Sequence, residues 1–344
     1  MKANEEKLFK ILSKRPNLLR FEQDSLLADN SSAIGLELEF ENIYSNDLGE
    51  DPVNPSSIYY EGVSTSPHEF TKALNELDGY WYSVKDGSLR KGLEFIFVDG
   101  LKGANISEAL KRMSAFIEVY KKNGNTVTIT ERCSTHVHLD VSDISLKELN
   151  NLLLIYILVE RILFAHINVA RIKNNYCRPL INSSFFKFLN KINRLEYFNG
   201  GTLISLIREN CDKYSALNLL PITRYGSIEF RHHPGSTDMS NILDWINIIL
   251  TIKKLAVSYS VEDIIKEVNN KGILALIELF GNTTLTQIAN NPLYIKELYD
   301  QGCTDVKEIL QYNELFELTY NRKSSRKRPV NTLFFKFKQA NGVG

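Results

Sequence analysis

The chain has no C-x-x-C pair, and its four cysteines, Cys133, Cys177, Cys211 and Cys303, are too few and too scattered for a disulfide scaffold. Such thin use of cysteine fits a reducing compartment. Charge of one sign is not in excess either: 41 Lys plus Arg stand against 41 Asp plus Glu, so no global field draws the protein to nucleic acid or to an anionic membrane. A long apolar run is also missing. The most lipid-like stretch, LLLIYILV from Leu152 to Val159, is flanked by Asn150, Asn151 and Glu160. It falls far short of the ~20 residues of a spanning helix and reads as the buried part of a soluble one. The opening MKANEEKLFKILSKR carries no apolar signal core, so the expected location is the cytoplasm. Neither G-x-x-x-x-G-K-[ST] nor G-x-G-x-x-G occurs, which takes support from P-loop, kinase and dinucleotide-binding folds.

What is present is an ordinary globular composition, 43% hydrophobic and 24% charged over 344 residues, enough for a sizeable core in one elaborated domain. The expected organisation is an N-terminal helix and linker over 1–30, a core over 31–239 with a helical insertion around 145–215, a helical part over 240–320 and a basic tail over 321–344. Arg326, Lys327 and Arg328 in that tail read as a solvated segment, since nothing else in the chain speaks for a nucleic-acid partner.

Asp86-Gly87 sits between two aromatic or apolar runs in YWYSVKDGSLRKGLEFIFV, as a hairpin turn would. A helix follows, capped by Ser107, with Ile106, Leu110, Met113, Ile117 and Tyr120 at helical spacing and Asn123-Gly124 at its end. After strand signals in TVTIT and HVHLDV, Ser145 and Glu148 form a capping box for a second helix running to about Ile172. SIEFRH is one more strand.

Four of these strands share one logic. Side chains alternate across a strand, so GLELEFE puts Leu36, Leu38 and Phe40 on one face and Glu37, Glu39 and Glu41 on the other. HVHLDV sets His136, His138 and Asp140 opposite Val137, Leu139 and Val141; SIEFRH sets Glu229 and Arg231 opposite Ile228 and Phe230; Glu94 alternates with Leu93 and Phe95. A single row of carboxylates is most often a solvated face. Several such strands in one sheet gather groups that bind cations and phosphates, and crowded like charges call for a counter-ion. Many carboxylates with few imidazoles suit Mg²⁺ or Mn²⁺, and Mg²⁺ commonly shares its shell with phosphates, so a nucleotide is the natural companion and Arg231 a group to neutralise phosphoryl oxygens. A zinc reading of Cys133, His136 and His138 ranks lower because it leaves the Glu strands unexplained.

Taken in order, GLELEFE, DGSLRKGLEF, STHVHLD, NNYCRPL and SIEFRHHPGSTD resemble the amidoligases, carboxylate-amine ligases related to glutamine synthetase and glutamate-cysteine ligase, over roughly Gly35 to Asp238. The resemblance implies an α+β fold in which a glutamine-synthetase-like antiparallel sheet forms a concave active-site funnel decorated by helices. It implies Glu37, Glu39, Glu94, His136 and Glu229 as metal ligands, and His138 and Arg231 as catalytic groups facing the phosphates of ATP. Lys213 and Asn218 would lie near the nucleotide, Asp86 would shape the metal or substrate site, and Tyr176 and Arg178 would lie near the acceptor. Cys177 reads as a small buried residue rather than a nucleophile. The implied activity joins a carboxylate to an amine or ammonia through an acyl phosphate, with ATP and Mg²⁺. The alternatives are a metal-dependent phosphotransferase acting on nitrogen and a non-catalytic, metal-stabilised interaction protein.

Overall fold

The computed structural model describes residues 30–43, 77, 79–84, 86–90, 92–122, 126–183, 200–281 and 291–321. The expected N-terminal helix, the Asn123-Gly124 helix end and the basic tail lie outside these residues.

Among the described residues six strands, β1 (Ile34–Glu41), β2 (Trp81–Val84), β3 (Gly92–Phe97), β4 (Thr135–Asp140), β5 (Leu217–Asn218) and β6 (Ser227–Phe230), form one sheet in the order β2-β3-β1-β4-β6-β5. The pairs β2–β3, β1–β3 and β1–β4 are antiparallel. Eight helices accompany them among the described residues: α1 (Ala104–Lys122), α2 (Leu146–Ile167), α3 (Gly200–Asn210), α4 (Ile222–Tyr225), α5 (Met239–Ser258), α6 (Val261–Lys271), α7 (Ile273–Leu279) and α8 (Pro292–Asn321). The described residues divide into two compact units, one holding those of 30–139 and 230–250, the other those of 140–229 and 251–321.

In the first unit the apolar face of the sheet is covered by α1. Ile106, Leu110, Met113, Ile117 and Tyr120 are buried along it, as their spacing predicts. Phe95 lies between Phe40 at 5.7 Å and Phe116 at 5.5 Å, ring centre to ring centre, and Trp81 donates its indole N–H to the Ala109 carbonyl at 2.8 Å. Each such side chain contributes about 1.5–3 kcal/mol by leaving water, enough to hold the sheet's register from behind. The helix starts at Ala104, three residues before Ser107, which is buried in the helix rather than capping it. TVTIT is not a strand: Thr128 alone bridges to Glu41, through bonds of 2.9 Å in both directions.

In the second unit α2 begins at the expected Ser145–Glu148 capping box but ends at Ile167 rather than near Ile172. There Asn168 turns extended and its side chain caps a short 3-10 turn, Val169–Lys173. α2 is long and apolar enough to cross a membrane by length and composition alone, yet 67% of its most apolar stretch is buried inside the protein. Gly302 of α8 packs directly on the Leu158 carbonyl of α2. Lys253 is buried and donates to the Asp140 carbonyl at 2.8 Å and the Asp143 carboxylate at 2.6 Å, which fastens the end of β4. Gly226, at φ 69°, takes the left-handed turn from α4 into β6, and its carbonyl accepts from Val141 N at 2.9 Å.

Candidate functional site

The register of β1 against its two neighbours brings the polar face of the first unit together. Glu39 faces Glu94 across one edge, while Glu37 faces His136 and Gly35 faces His138 across the other. Gly35 matters for room: a Cβ there would stand 3.1 Å from the His138 Cβ. Both imidazoles close on one carboxylate, His136 Nδ1 at 2.9 Å from Glu37 Oε2 and His138 Nε2 at 3.1 Å from Glu37 Oε1. Burial works to raise the Glu37 pKa, but these two bonds hold it well below the usual carboxylate range.

Glu39 and Glu94 are pushed the other way. Burial first, and then the negative charge of Asp86, raise Glu39, offset in part by His136, a hydrogen bond from Ser134 and Arg231. That bond runs from Ser134 N to Glu39 Oε2 at 2.6 Å. Glu94 is pushed up to about 9, by burial and then by the charges of Glu37, Asp86 and Glu39. Glu39, Glu94 and His136 each offer a ligand atom, and all three atoms lie within 4.8 Å of one another. Two carboxylates and an imidazole at that spacing, with further negative charge behind them, fit a hard divalent cation, whose charge would offset the repulsion among them.

Glu41, the third carboxylate of the row, does a different job: it accepts the Arg90 backbone N–H at 3.0 Å and closes the turn into β3. Asp86 is where the D-G-S pattern puts it, accepting from Ser88 N in the turn between β2 and β3. Arg231 lies just past β6, half-buried, with its charge acting on Glu39. The zinc alternative loses its sulfur: the Cys133 thiol lies against Thr130 N at 3.5 Å and the Thr128 carbonyl at 3.9 Å. Among the described residues it joins no group with ligand atoms in mutual reach.

The remaining expected site residues lie in the second unit. Glu229 is buried and accepts from Asn218 Nδ2 at 2.6 Å, while Asn218 Oδ1 accepts from Leu220 N at 3.0 Å. The segments NNYCRPL and DKYSALNL, read separately in the sequence, pair with each other. Arg178 N donates to the Tyr214 carbonyl at 2.8 Å, and the Arg178 carbonyl accepts from Ala216 N at 2.7 Å. The Arg178 guanidinium pairs with Asp212, exposed Tyr176 meets Tyr214 edge-on at 5.3 Å, and Lys213 Nζ sits 4.9 Å over the Tyr214 ring. Cys177 is buried with Phe164 and Ala216, the packing role expected of it.

Sequence reasoning missed Glu160, whose place in the apolar run of α2 gave no sign of its role. It is buried, accepts the Tyr156 hydroxyl at 2.7 Å and Leu180 N at 2.6 Å, and so anchors the end of NNYCRPL. Burial pushes its pKa from 4.5 up to about 7. The fold therefore binds a proton here that the unfolded chain releases above about pH 4.5. Stability from this group is full below that pH and is lost as pH rises to about 7, a fall of about 3 kcal/mol. Denaturant unfolding across pH 4.5 to 7 is expected to show this decline in the wild type and a flatter profile in Glu160→Gln. An unchanged slope in the variant would assign the decline to other groups.

Residues 104–253 match the model of a family described as "Putative amidoligase enzyme", so the resemblance read from the motifs holds over that segment. Among solved structures the chain is similar to one described as "Crystal structure of novel glutamine synthase homolog", with 13% identity and a TM-score of 0.38, over 83% of this chain and 71% of that one. No curated protein matches.

Proposed function

We propose that this protein is an ATP-dependent carboxylate-amine ligase with a glutamine-synthetase-like sheet whose polar face carries the site. The ligase class has the support of the amidoligase match. The single observation that carries the finer reading is the convergence of Glu39, Glu94 and His136 within ligand distance, with the charge of Arg231 acting on Glu39. In this reading Glu37, Glu39, Glu94, His136 and Glu229 hold Mg²⁺ or Mn²⁺, and the bound cations offset the charge of the polyphosphate.

The substrate carboxylate oxygen attacks the γ-phosphorus of ATP, the bond to ADP breaks, and an acyl phosphate forms. Arg231 and His138 supply positive charge or hydrogen bonds to the phosphoryl oxygens as that charge shifts. The amine nitrogen then attacks the acyl carbon, inorganic phosphate leaves with the C–O electron pair, and the nitrogen gives up its proton. Tyr176 and Arg178 act at the acceptor side, Asp86 shapes the metal or substrate position, and Lys213 and Asn218 serve the nucleotide. The substrates are a carboxylate on an amino acid, peptide or protein and an amine or ammonia. A cytoplasmic site of action, with its ATP and Mg²⁺, is part of the proposal.

Hydroxylamine tests this reading without knowledge of the natural amine. Incubation with Mg²⁺-ATP, a panel of amino acids and peptides, and hydroxylamine is expected to release ADP and inorganic phosphate with a hydroxamate. A phosphorylated nitrogen product would move the protein to the phosphotransferases. Absence of Mg²⁺-dependent nucleotide binding at millimolar ATP would overturn the proposal.

A further inference from the structure

Arg132 lies in the turn before β4 and belongs to no motif that led to the site. Its Nε donates to the Ser88 carbonyl at 2.6 Å, and its backbone N–H donates to Thr130 Oγ1 at 3.2 Å. The side chain is therefore fixed at one nitrogen and its backbone is held by the turn. A guanidinium carries five N–H donors, so four remain on the two terminal nitrogens, and these have no partner among the described residues.

The Ser88 anchor and the chain that follows Arg132 both lead to the carboxylate face. Ser88 donates its backbone N–H to Asp86, whose charge is felt by Glu39 and Glu94. Two residues after Arg132, Ser134 N donates to the Glu39 carboxylate at 2.6 Å. Arg132 thus spans the turn of Asp86 and the chain that holds Glu39, with an open fork of donors on an exposed side chain. Holding a long side chain costs roughly 1–2 kcal/mol of rotamer entropy, and the bond to Ser88 meets part of that cost before any ligand arrives, so the fork is pre-organised. A planar pair of donors matches the oxygens of a phosphate, and cations on the neighbouring carboxylates would bring phosphates there.

We propose that Arg132, held by Ser88 at the edge of the carboxylate face, binds the terminal phosphoryl oxygens of the nucleoside triphosphate. This rests on the nucleotide-dependent function proposed above. The inference adds a second cation to Arg231, contributed from the β4 side of the sheet.

Calorimetric titration of Mg²⁺-ATP and Mg²⁺-AMP into wild type, Arg132→Ala, Arg132→Lys and Arg90→Ala tests it. Arg90 is an exposed neighbour to which the proposed site assigns no role, and it controls for the general loss of positive charge. Arg132→Ala is expected to bind ATP roughly ten- to a hundredfold more weakly, as the loss of charge-assisted bonds implies. Arg132→Lys is expected to recover only part of this, and AMP binding is expected to be equal in all four proteins. Equal weakening by Arg90→Ala, or an Arg132→Ala affinity equal to wild type, would overturn the assignment while leaving the ligase reading intact. Weakened AMP binding in Arg132→Ala would also overturn it, as a general disturbance of the fold. A wild type that binds no Mg²⁺-ATP would overturn both.

Discussion

Glu39→Gln is expected to bind Mg²⁺-ATP at least a hundredfold more weakly than wild type while folding as well or better. The two halves of this expectation come from the same geometry. Glutamine keeps the volume of the side chain and an oxygen to accept Ser134 N, which now lies 2.6 Å from Glu39 Oε2. Folding therefore loses no hydrogen bond. What disappears is one negative charge in a buried group, where burial and the charge of Asp86 already disfavour it. Without a divalent cation that loss relieves repulsion, so the variant's midpoint of urea unfolding should equal or exceed the wild type's. With a cation, an oxygen ligand opposite Glu94 has become a neutral amide, and affinity for a hard ion falls with ligand charge. A site that trades stability for function behaves in this way. Strong destabilisation with unchanged Mg²⁺-ATP binding would instead make Glu39 a structural residue and remove it from the metal site.

The second large effect concerns packing. Gly302→Ala would normally stabilise a helix by about 1 kcal/mol, because alanine loses less backbone entropy than glycine. Here the sign reverses. A Cβ at position 302 would lie 2.1 Å from the Leu158 carbonyl oxygen and 2.8 Å from its carbon, both backbone atoms of α2 that cannot rotate aside. α8 would have to move off α2, loosening the Arg161–Asp305 ion pair and the buried contacts of Val306 and Ile309. Overpacking of this kind costs about 3 kcal/mol, several times the helix-propensity gain. Denaturant unfolding of the full chain should show the loss, with the midpoint moving down. A Gly302→Ala protein as stable as wild type would mean that the two helices do not approach as closely as described.

The parts of the site that were legible in the sequence were those carried by strand alternation. GLELEFE, GLEF and HVHLD announce which residues share a face, and the structure puts Glu37, Glu39, Glu94, His136 and His138 on one. The Ser145 capping box and the buried stripe of α1 were equally plain, because both depend on residues within a turn or two of each other. Boundaries were less legible. Ser107 has the chemistry of a cap but lies inside α1, and TVTIT has the composition of a strand but makes a single bridge. In both cases tertiary packing overrode a local preference worth about 1 kcal/mol or less.

By itself, then, the sequence determined the identity of the ligand-type side chains and the face each one shares, since a period of two is a property of neighbouring residues. Only the tertiary structure decided which partner each met. Register placed Glu39 against Glu94 and gave Glu37 to two histidines, and this, with burial, drives one carboxylate's pKa down and another's up to about 9. It also assigned Glu41, identical in the sequence pattern, to a backbone N–H, joined NNYCRPL to DKYSALNL, and set Glu160 under Leu180. Those outcomes depend on charges and hydrogen bonds between residues far apart in the chain, whose strength is set by burial and distance rather than by spacing along it.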